Sequence, residues 1–271
     1  MRAGRGQVAF TATGYLLGGG LLVFLVLPIV ALFVTSGPAA LLAGLRHPIT
    51  VPALALSLTT TATSLGLILI LGTPVAWWLA RSRTRLARIV ETTVQLPIVI
   101  PPAVAGLALL LAFGRNGLVG PFLLVLGISS SFTTTAVVMA QTFVAAPFYV
   151  QAATAAFAAV DENLLVVART LGASRARVLF RVAVPIALRG LLAGAALAWA
   201  RALGEFGATL MFAGNLSGRT QTLPLAVYEA MESDLRAAQA LAVVLVLVAM
   251  TLLTLLRRPF GRRPAIAVEG T

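Results

Sequence analysis

The sequence predicts an all-α polytopic membrane protein with about six transmembrane helices. Of its 271 residues, 59% are hydrophobic and only 10% are charged, and the mean hydropathy is +1.00. A soluble domain carries about a quarter charged residues, so this chain has too few polar side chains to cover a water-facing surface. Its apolar residues form runs of roughly 20, the length that a bilayer requires, and polar or Pro-rich stretches separate these runs.

Six apolar stretches are the candidate spans. They cover residues 14–35, 53–80, 92–113, 132–152, 186–213 and 238–256. The third contains Pro97, Pro101 and Pro102, so we expect its first half to be broken or kinked. Because irregular backbone survives at membrane depth only inside protein or beside a water-filled cavity, we expect that span in the bundle interior. The shorter apolar piece 118–128 is more typical of an interfacial or re-entrant segment.

The arginines predict the orientation of the chain. Its net charge is +12, and all 20 basic residues are arginines, which lie in loops between spans rather than in a patch that would suit nucleic acid. With the N-terminus inside, 15 of the 20 lie in cytoplasmic segments, as the positive-inside rule requires. The exceptions are Arg46, Arg115, Arg219 and Arg236 outside, and Arg201 within a span. We therefore expect cytoplasmic segments at 1–13 and 257–271, flanking a transmembrane domain over 14–256.

The residue types that the sequence lacks exclude several functions. Without lysine the chain has no phosphate-binding loop of the P-loop ATPases and no Schiff base. Without cysteine it has no disulfide, thiolate metal site or cysteine nucleophile. The single histidine, His47, cannot build a histidine metal cluster, and no G-x-S-x-G motif accompanies it. We expect no cofactor in this chain, and if the protein depends on ATP, another subunit must hydrolyse it.

The longest polar passage, residues 161–185, separates the fourth and fifth spans and reads DENLLVVARTLGASRARVLFRVAVP. It predicts two short helices, because Gly172 can adopt the left-handed conformation that ends a helix and Ser174 can cap the next one. At helical spacing, the predicted apolar face consists of Leu164, Ala168 and Leu171. We expect Pro185 to end this hairpin. A bent, basic, amphipathic hairpin fits a docking element, although an ordinary Arg-rich cytoplasmic loop has the same composition.

Two opposite charges lie inside the fifth span. Arg201 and Glu205 are four residues apart, on one helix face. Each costs about 3 kcal/mol at the bilayer centre when alone, so we expect them to neutralise each other or to face water. The pair fits the lining of an anion pathway or a structural ion pair. Thr60 and Thr63 of the second span are weaker candidates for the pathway, since threonine commonly returns its hydroxyl to its own helix backbone.

Two stretches of the chain resemble known permeases. The hairpin resembles the EAA loop of permease subunits of binding-protein-dependent ABC importers, whose pattern is E-A-A, three residues, Gly, nine residues and I-x-L-P. Ala168 matches the second Ala, Gly172 the glycine and Pro185 the proline, whereas Val166 and Val167 replace the Glu and the first Ala. Residues 201–228, RALGEFGATLMFAGNLSGRTQTLPLAVY, resemble the molybdate permease subunits along their whole length. Sulfate and thiosulfate permeases are similar in R-A-x-G-E-[FY]-G.

The resemblance covers roughly residues 53–256 and implies the ABC type I importer permease fold. It implies a homodimer of this subunit in the bacterial cytoplasmic membrane, with two ATP-binding subunits that hold ATP and magnesium, and a periplasmic or lipoprotein molybdate-binding protein. This chain is then a transport subunit in membrane lipid and not itself an enzyme. The residues that the resemblance assigns to ATPase coupling are Ala168, Arg169, Gly172, Ala173, Arg175 and Pro185. Alternatives are a tungstate, sulfate or thiosulfate cargo, a stand-alone secondary transporter, and a membrane scaffold.

Overall fold

The computed structural model describes residues 2–127 and 131–257, and these residues form helices without any strand. The helices are α1 (Arg2–Arg46), α2 (Thr50–Arg81), α3 (Arg85–Val99), α4 (Pro102–Phe113), α5 (Gly120–Val125), α6 (Thr134–Ala158), α7 (Glu162–Thr170), α8 (Arg175–Val178), α9 (Val184–Leu203), α10 (Gly207–Ala213), α11 (Leu223–Ser233) and α12 (Leu235–Arg257). Five helices are long and apolar enough to cross a membrane, or six if the bent pair α3–α4 counts as one span. The prediction of an all-α chain with about six spans is confirmed.

Helix α2 packs against α6 and α9 through small and hydroxylated side chains. Its buried face contains Ser57, Thr60, Thr61, Ser64, Gly72 and Ala76. Thr61 accepts a hydrogen bond from the Trp199 indole of α9 (3.0 Å), and the Ser64 hydroxyl lies 3.1 Å from Gln141 Oε1 of α6. Small residues let membrane helices approach closely, and hydrogen bonds between helices replace the hydrophobic force that lipid removes.

The third predicted span bends sharply. Helices α3 and α4 meet at 117°, because Ile100 and Pro101 each precede a proline and take the extended backbone that this position favours. The break agrees with the prediction. The predicted position of this span in the bundle interior is right only for α4. Its Ala105 and Leu109 are buried against α6 and α10, whereas α3 leaves Leu96, Ile98 and Val99 exposed.

The fifth predicted span, 186–213, is wrong at both ends. Its helix begins earlier, since α8, a π-helical turn (Leu179–Ala183) and α9 form one 29-residue helix, Arg175–Leu203. Gly204 ends this helix, and Phe206 has a non-helical φ of −125°. Helix α10 then begins separately at Gly207, and α11, which the sequence did not predict, follows it.

The most hydrophobic part of the first helix lies outside the packed bundle. In its apolar part, Gly14–Gly37, none of the most hydrophobic window is buried, and the helix is interrupted at Gly37, where φ is +56°. Its end packs on α12 so closely that a Cβ on Gly44 would lie 2.0 Å from Ala240 Cβ. The predicted re-entrant piece 118–128 contains the six-residue helix α5, and its last residue lies outside the described residues.

Candidate functional site

The hairpin between α6 and α9 turns at Gly172, as predicted. Gly172 has a φ of +83°, the left-handed conformation that glycine adopts without strain. Its N–H donates to Arg169 O (3.0 Å), and the Ala173 N–H donates to Ala168 O (3.0 Å). Together these two bonds form the Schellman motif that closes a helix C-terminus. Four of the six residues proposed for coupling therefore build the turn itself.

Side-chain caps start both helices of the hairpin. The Asp161 carboxylate accepts a hydrogen bond from the Asn163 N–H (2.9 Å) at α7, and the Ser174 hydroxyl accepts from the Arg177 N–H (3.3 Å) at α8. Such caps satisfy backbone donors that have no partner within the helix. Arg175, the first residue of α8, is exposed beside this cap. The predicted two-helix hairpin and its Ser174 cap are confirmed.

The predicted apolar face of α7 is right at Ala168 and wrong at Leu164 and Leu171. Leu165, which is 2% exposed, packs into the core together with the half-buried Ala168. Leu164 and Leu171 instead point outward, and they are 48% and 83% exposed. The outward side also exposes Val166, Val167 and Phe180. Because α7 is short and apolar on both sides, helical spacing alone could not show which side faces the bundle.

Pro185 does not end the hairpin, which corrects the prediction. The helix passes through Pro185 by widening to a π-helical turn, in which the Val184 N–H donates to Leu179 O, five residues back. A proline has no N–H and its ring crowds the carbonyl four residues before it, here that of Arg181. The widened turn relieves this conflict. Helices α8 and α9 therefore form one continuous helix that runs from the hairpin into the membrane span.

Arg201 and Glu205 form an ion pair, with 2.8 Å between Arg201 Nη1 and Glu205 Oε2. The pair does not lie on a continuous helix, because Glu205 follows the end of α9. Its other carboxylate oxygen accepts a hydrogen bond from the Ala208 N–H (2.7 Å), which caps α10. Glu205 is 1% exposed, whereas the Arg201 side chain is 27% exposed. The Arg201 side chain is therefore partly accessible at the surface of this chain, and Glu205 is not.

This ion pair lies where the two broken spans meet. A Cβ on Gly207, the first residue of α10, would lie 2.8 Å from Pro102 Cβ at the start of α4. On the same side, a Cβ on Gly106 would lie 2.7 Å from Ala208 O. Two glycines therefore let α4 and α10 pack backbone against backbone. Non-helical backbone at membrane depth is tolerated only in such protein-covered or water-lined places.

The threonine candidates differ from each other. Thr60 is buried and its hydroxyl donates to Leu56 O (2.8 Å), while Thr63 is exposed and its hydroxyl donates to Thr59 O (2.8 Å). Both hydroxyls thus bond within α2, as threonine in helices commonly does. The structure gives neither a contact with Arg201 or Glu205.

The segment between α10 and α11 is ordered by polar contacts that sequence reasoning missed. The Asn215 amide donates to Glu229 Oε2 (2.8 Å), and the Gln221 amide donates to the same oxygen. Phe206, next to Glu205, contacts Tyr228 with 5.2 Å between ring centroids. A hydrogen bond with the Glu232 carboxylate, and its charge, raise the pKa of the exposed Tyr228 phenol. In the sequence, the sign of this network is the presence of Glu229 and Glu232 in the short apolar stretch after residue 222.

Comparison with known sequences decides the family. Residues 72–265 match the model of the family described as binding-protein-dependent transport system inner membrane component. The chain belongs to this family. It is 46% identical over 228 residues to the molybdenum transport system permease protein ModB of Mycobacterium tuberculosis, which covers 84% of this chain and 86% of that protein. It is 37% identical to the ModB protein of Escherichia coli, covering 67% of this chain and 80% of that one.

Solved structures of ABC transporters show the same fold. A bacterial ABC transporter involved in the import of alginate matches with a TM-score of 0.75 and 16% identity, over 97% of this chain and 100% of that chain. The inward-facing MetNI methionine ABC transporter matches with a TM-score of 0.62 and 20% identity, over 78% and 94%. The ABC type I importer permease fold is thus confirmed. By its family, this chain is the inner-membrane component of a transport system.

Proposed function

We propose that this chain is the membrane-spanning subunit of an ATP-driven importer of molybdate. The observation that carries the proposal is the 46% identity, over most of both chains, to a permease named for molybdenum transport. Further relatives named for molybdenum transport come from Haemophilus influenzae and Azotobacter vinelandii. A tungstate cargo has the same tetrahedral chemistry, and a sulfate or thiosulfate cargo rests on the short matches R-A-x-G-E-[FY]-G and A-G-N.

The complete transporter in this proposal has two copies of this chain, two ATP-binding subunits that hold ATP and magnesium, and a molybdate-binding protein outside. A related importer structure contains a periplasmic protein bound to alginate pentasaccharide, which supports a partner of that kind. Both termini and the hairpin face the cytoplasm, because 15 of 20 arginines then lie inside. Three of these arginines, Arg258, Arg262 and Arg263, lie outside the described residues.

The hairpin couples this chain to the ATPase. Its outward side exposes Leu164, Val167 and Leu171 next to the rigid turn at Gly172. An exposed apolar surface flanked by arginines is typical of a protein interface. When ATP closes the ATPase dimer, the hairpins move with it, and the continuous helix Arg175–Leu203 transmits the movement into the membrane. The bundle then alternates between two packed states, inward- and outward-facing.

The translocation path runs past the break between α9 and α10. Arg201 is partly accessible and is neutralised by Glu205, so the resting pair avoids the cost of an isolated charge in the membrane. An entering oxyanion competes with Glu205 for the guanidinium, whose fork suits oxyanions. Thr60 and Thr63 play a smaller part in this path, since their hydroxyls already bond to the α2 backbone.

Family membership favours the importer over the two other classes. A stand-alone secondary transporter needs no binding protein and a scaffold needs no cargo, whereas the matched family is defined by binding-protein-dependent transport. The test is co-expression with the candidate ATP-binding subunit, followed by purification in mild detergent and mass determination. We expect a complex with two copies of each subunit. Recovery of this chain alone, from membranes that contain the folded ATPase, would contradict the proposed assembly.

A further inference from the structure

A cavity of about 280 Å³ lies where the hairpin folds back against the end of α2. It is far larger than the roughly 10–15 Å³ that admits a single water. Its charged lining consists of Arg81 from α2, Glu162 and Arg169 from α7, and Arg175 from α8. These four side chains give the cavity a net charge of +2. The cavity therefore has an excess of positive charge drawn from three separate helices.

None of the three cavity arginines has a carboxylate oxygen within 4.0 Å among the described side chains. The ion pair found among those side chains is Arg201–Glu205, which lies on other elements. Glu162 therefore lowers the net charge of the cavity without forming an ion pair with any of the arginines. Clefts lined by charge of one sign focus the electric field and concentrate ions of the opposite sign. An anion is the ligand that such a cavity favours.

Contacts within the protein already hold the Arg81 guanidinium in place. Its Nη2 donates to Phe157 O (2.9 Å) and Val160 O (3.2 Å) at the end of α6, and its guanidinium carbon lies 5.0 Å from the centre of the Trp77 ring. Its Nε–H is buried and has no hydrogen-bond partner among the described residues. In the same lining, the Arg169 Nε–H donates to Leu165 O (3.2 Å). Ordering these side chains costs little when an anion binds, because the protein already holds them.

We propose that this cavity binds a phosphate group, which joins the end of α2 to both helices of the hairpin. Guanidinium groups bind phosphate through paired, charge-assisted hydrogen bonds. Trp77 and Arg81 end a membrane span, which is where anionic lipid headgroups gather around basic residues. The phosphate comes from a lipid headgroup or from free phosphate, which share this chemistry. The site depends neither on the cargo nor on the outward apolar face of the hairpin, although it shares Arg169 and Arg175 with the residues assigned to ATPase coupling. Phosphate binding by the purified chain therefore tests the site separately from ATPase binding and transport.

The test uses the purified full-length chain, its double variant Arg169→Gln/Arg175→Gln, and the control Arg83→Gln. Arg83 is an exposed arginine near the same end of α2 and does not line the cavity. Thermal unfolding in uncharged detergent is measured with inorganic phosphate and with chloride at equal ionic strength. Retention of phosphatidylglycerol, against phosphatidylcholine, is measured by native mass spectrometry after transfer from lipid nanodiscs.

A phosphate-specific rise in Tm that the control keeps and the double variant loses would support a free phosphate. Retention of phosphatidylglycerol with the same dependence on the variants would support a lipid headgroup. In either case we expect binding to the double variant to be at least about tenfold weaker, since two charged donors are lost. Glu162→Gln removes the single negative charge of the cavity lining, so this variant should bind phosphate or phosphatidylglycerol more tightly. If the double variant does not fold, the affinity of Glu162→Gln tests the proposal instead. No phosphate or phosphatidylglycerol dependence, or equal loss in the control, overturns the proposal.

Discussion

At the scale of residues, the Arg201–Glu205 pair shows what spacing alone can and cannot predict. The four-residue separation predicted the contact, and the contact exists at 2.8 Å. The same spacing implied a continuous helix, which is wrong because the backbone breaks after Leu203. The ion pair survives the break because Glu205 also accepts the Ala208 N–H. One carboxylate thus balances a charge and caps a helix, and only the backbone geometry reveals the second role.

The different exposure of the two partners leads to an asymmetric prediction. Arg201→Gln leaves the buried Glu205 carboxylate without a counter-charge, and removal of one partner from a buried pair costs about 3–5 kcal/mol. Glu205→Gln keeps an oxygen that can accept the Ala208 N–H and leaves an arginine that is 27% exposed. We expect a clearly larger fall in Tm for Arg201→Gln than for Glu205→Gln in the same detergent. Partial recovery in the double variant would confirm the coupling, while equal effects of the two single changes would contradict it.

Gly172 gives the second residue-scale prediction, with a control in the loop between α10 and α11, which the proposed topology places on the other side of the membrane. Gly172 and Gly218 have positive φ values, +83° and +71°, and a Cβ on either would meet nothing within 4 Å. Gly172→Asp and Gly218→Asp therefore impose similar backbone strain, about 1–2 kcal/mol, but only the first alters the docking hairpin. We expect Gly172→Asp to lose the co-purifying ATP-binding subunit and Gly218→Asp to retain it. Normal co-purification with Gly172→Asp would count against docking by the hairpin.

At the scale of elements, the sequence predicted those features that depend on local chemistry. The cap at Ser174, the left-handed Gly172 and the break at Pro101 follow from single residue types, and each is present. The orientation of α7 and the existence of α11 depend on what packs against them, so helical spacing failed for Leu165. The prediction that Pro185 ends the hairpin was also wrong, because a π-helical turn can accommodate a proline within a membrane helix.

The packing of α4 on α10 leads to a prediction about close approach. A Cβ on Gly106 would lie 2.7 Å from Ala208 O and 2.9 Å from Ala208 Cα, which are backbone atoms that cannot move independently. Gly106→Ala should therefore destabilise the protein by about 1–3 kcal/mol. Gly66→Ala in α2 is the matched control, because its Cβ would meet nothing within 4 Å, and a helical Gly→Ala change stabilises by up to about 1 kcal/mol. Thermal unfolding compares the two, and the account requires shifts of opposite sign.

At the scale of the whole molecule, the broken spans and the long continuous helix Arg175–Leu203 have different roles in the proposed transport cycle. The helices that follow the breaks after Val99 and Leu203 pack against each other near the charged pair, so polar backbone is available along the proposed path of the anion. The uninterrupted helix Arg175–Leu203 connects the hairpin with that break. A movement imposed at the hairpin can therefore reach Arg201 along a single helix.

The measurement that tests the central claim most directly is uptake into proteoliposomes. They would contain this chain and its candidate ATP-binding subunit, with the binding protein outside and ATP inside. We predict ATP-dependent accumulation of molybdate that resists excess sulfate, and its loss when the ATPase is omitted. Sulfate accumulation instead would overturn the cargo while keeping the architecture. Molybdate uptake that proceeds without ATP or without the ATPase would contradict the account of this chain as an importer subunit.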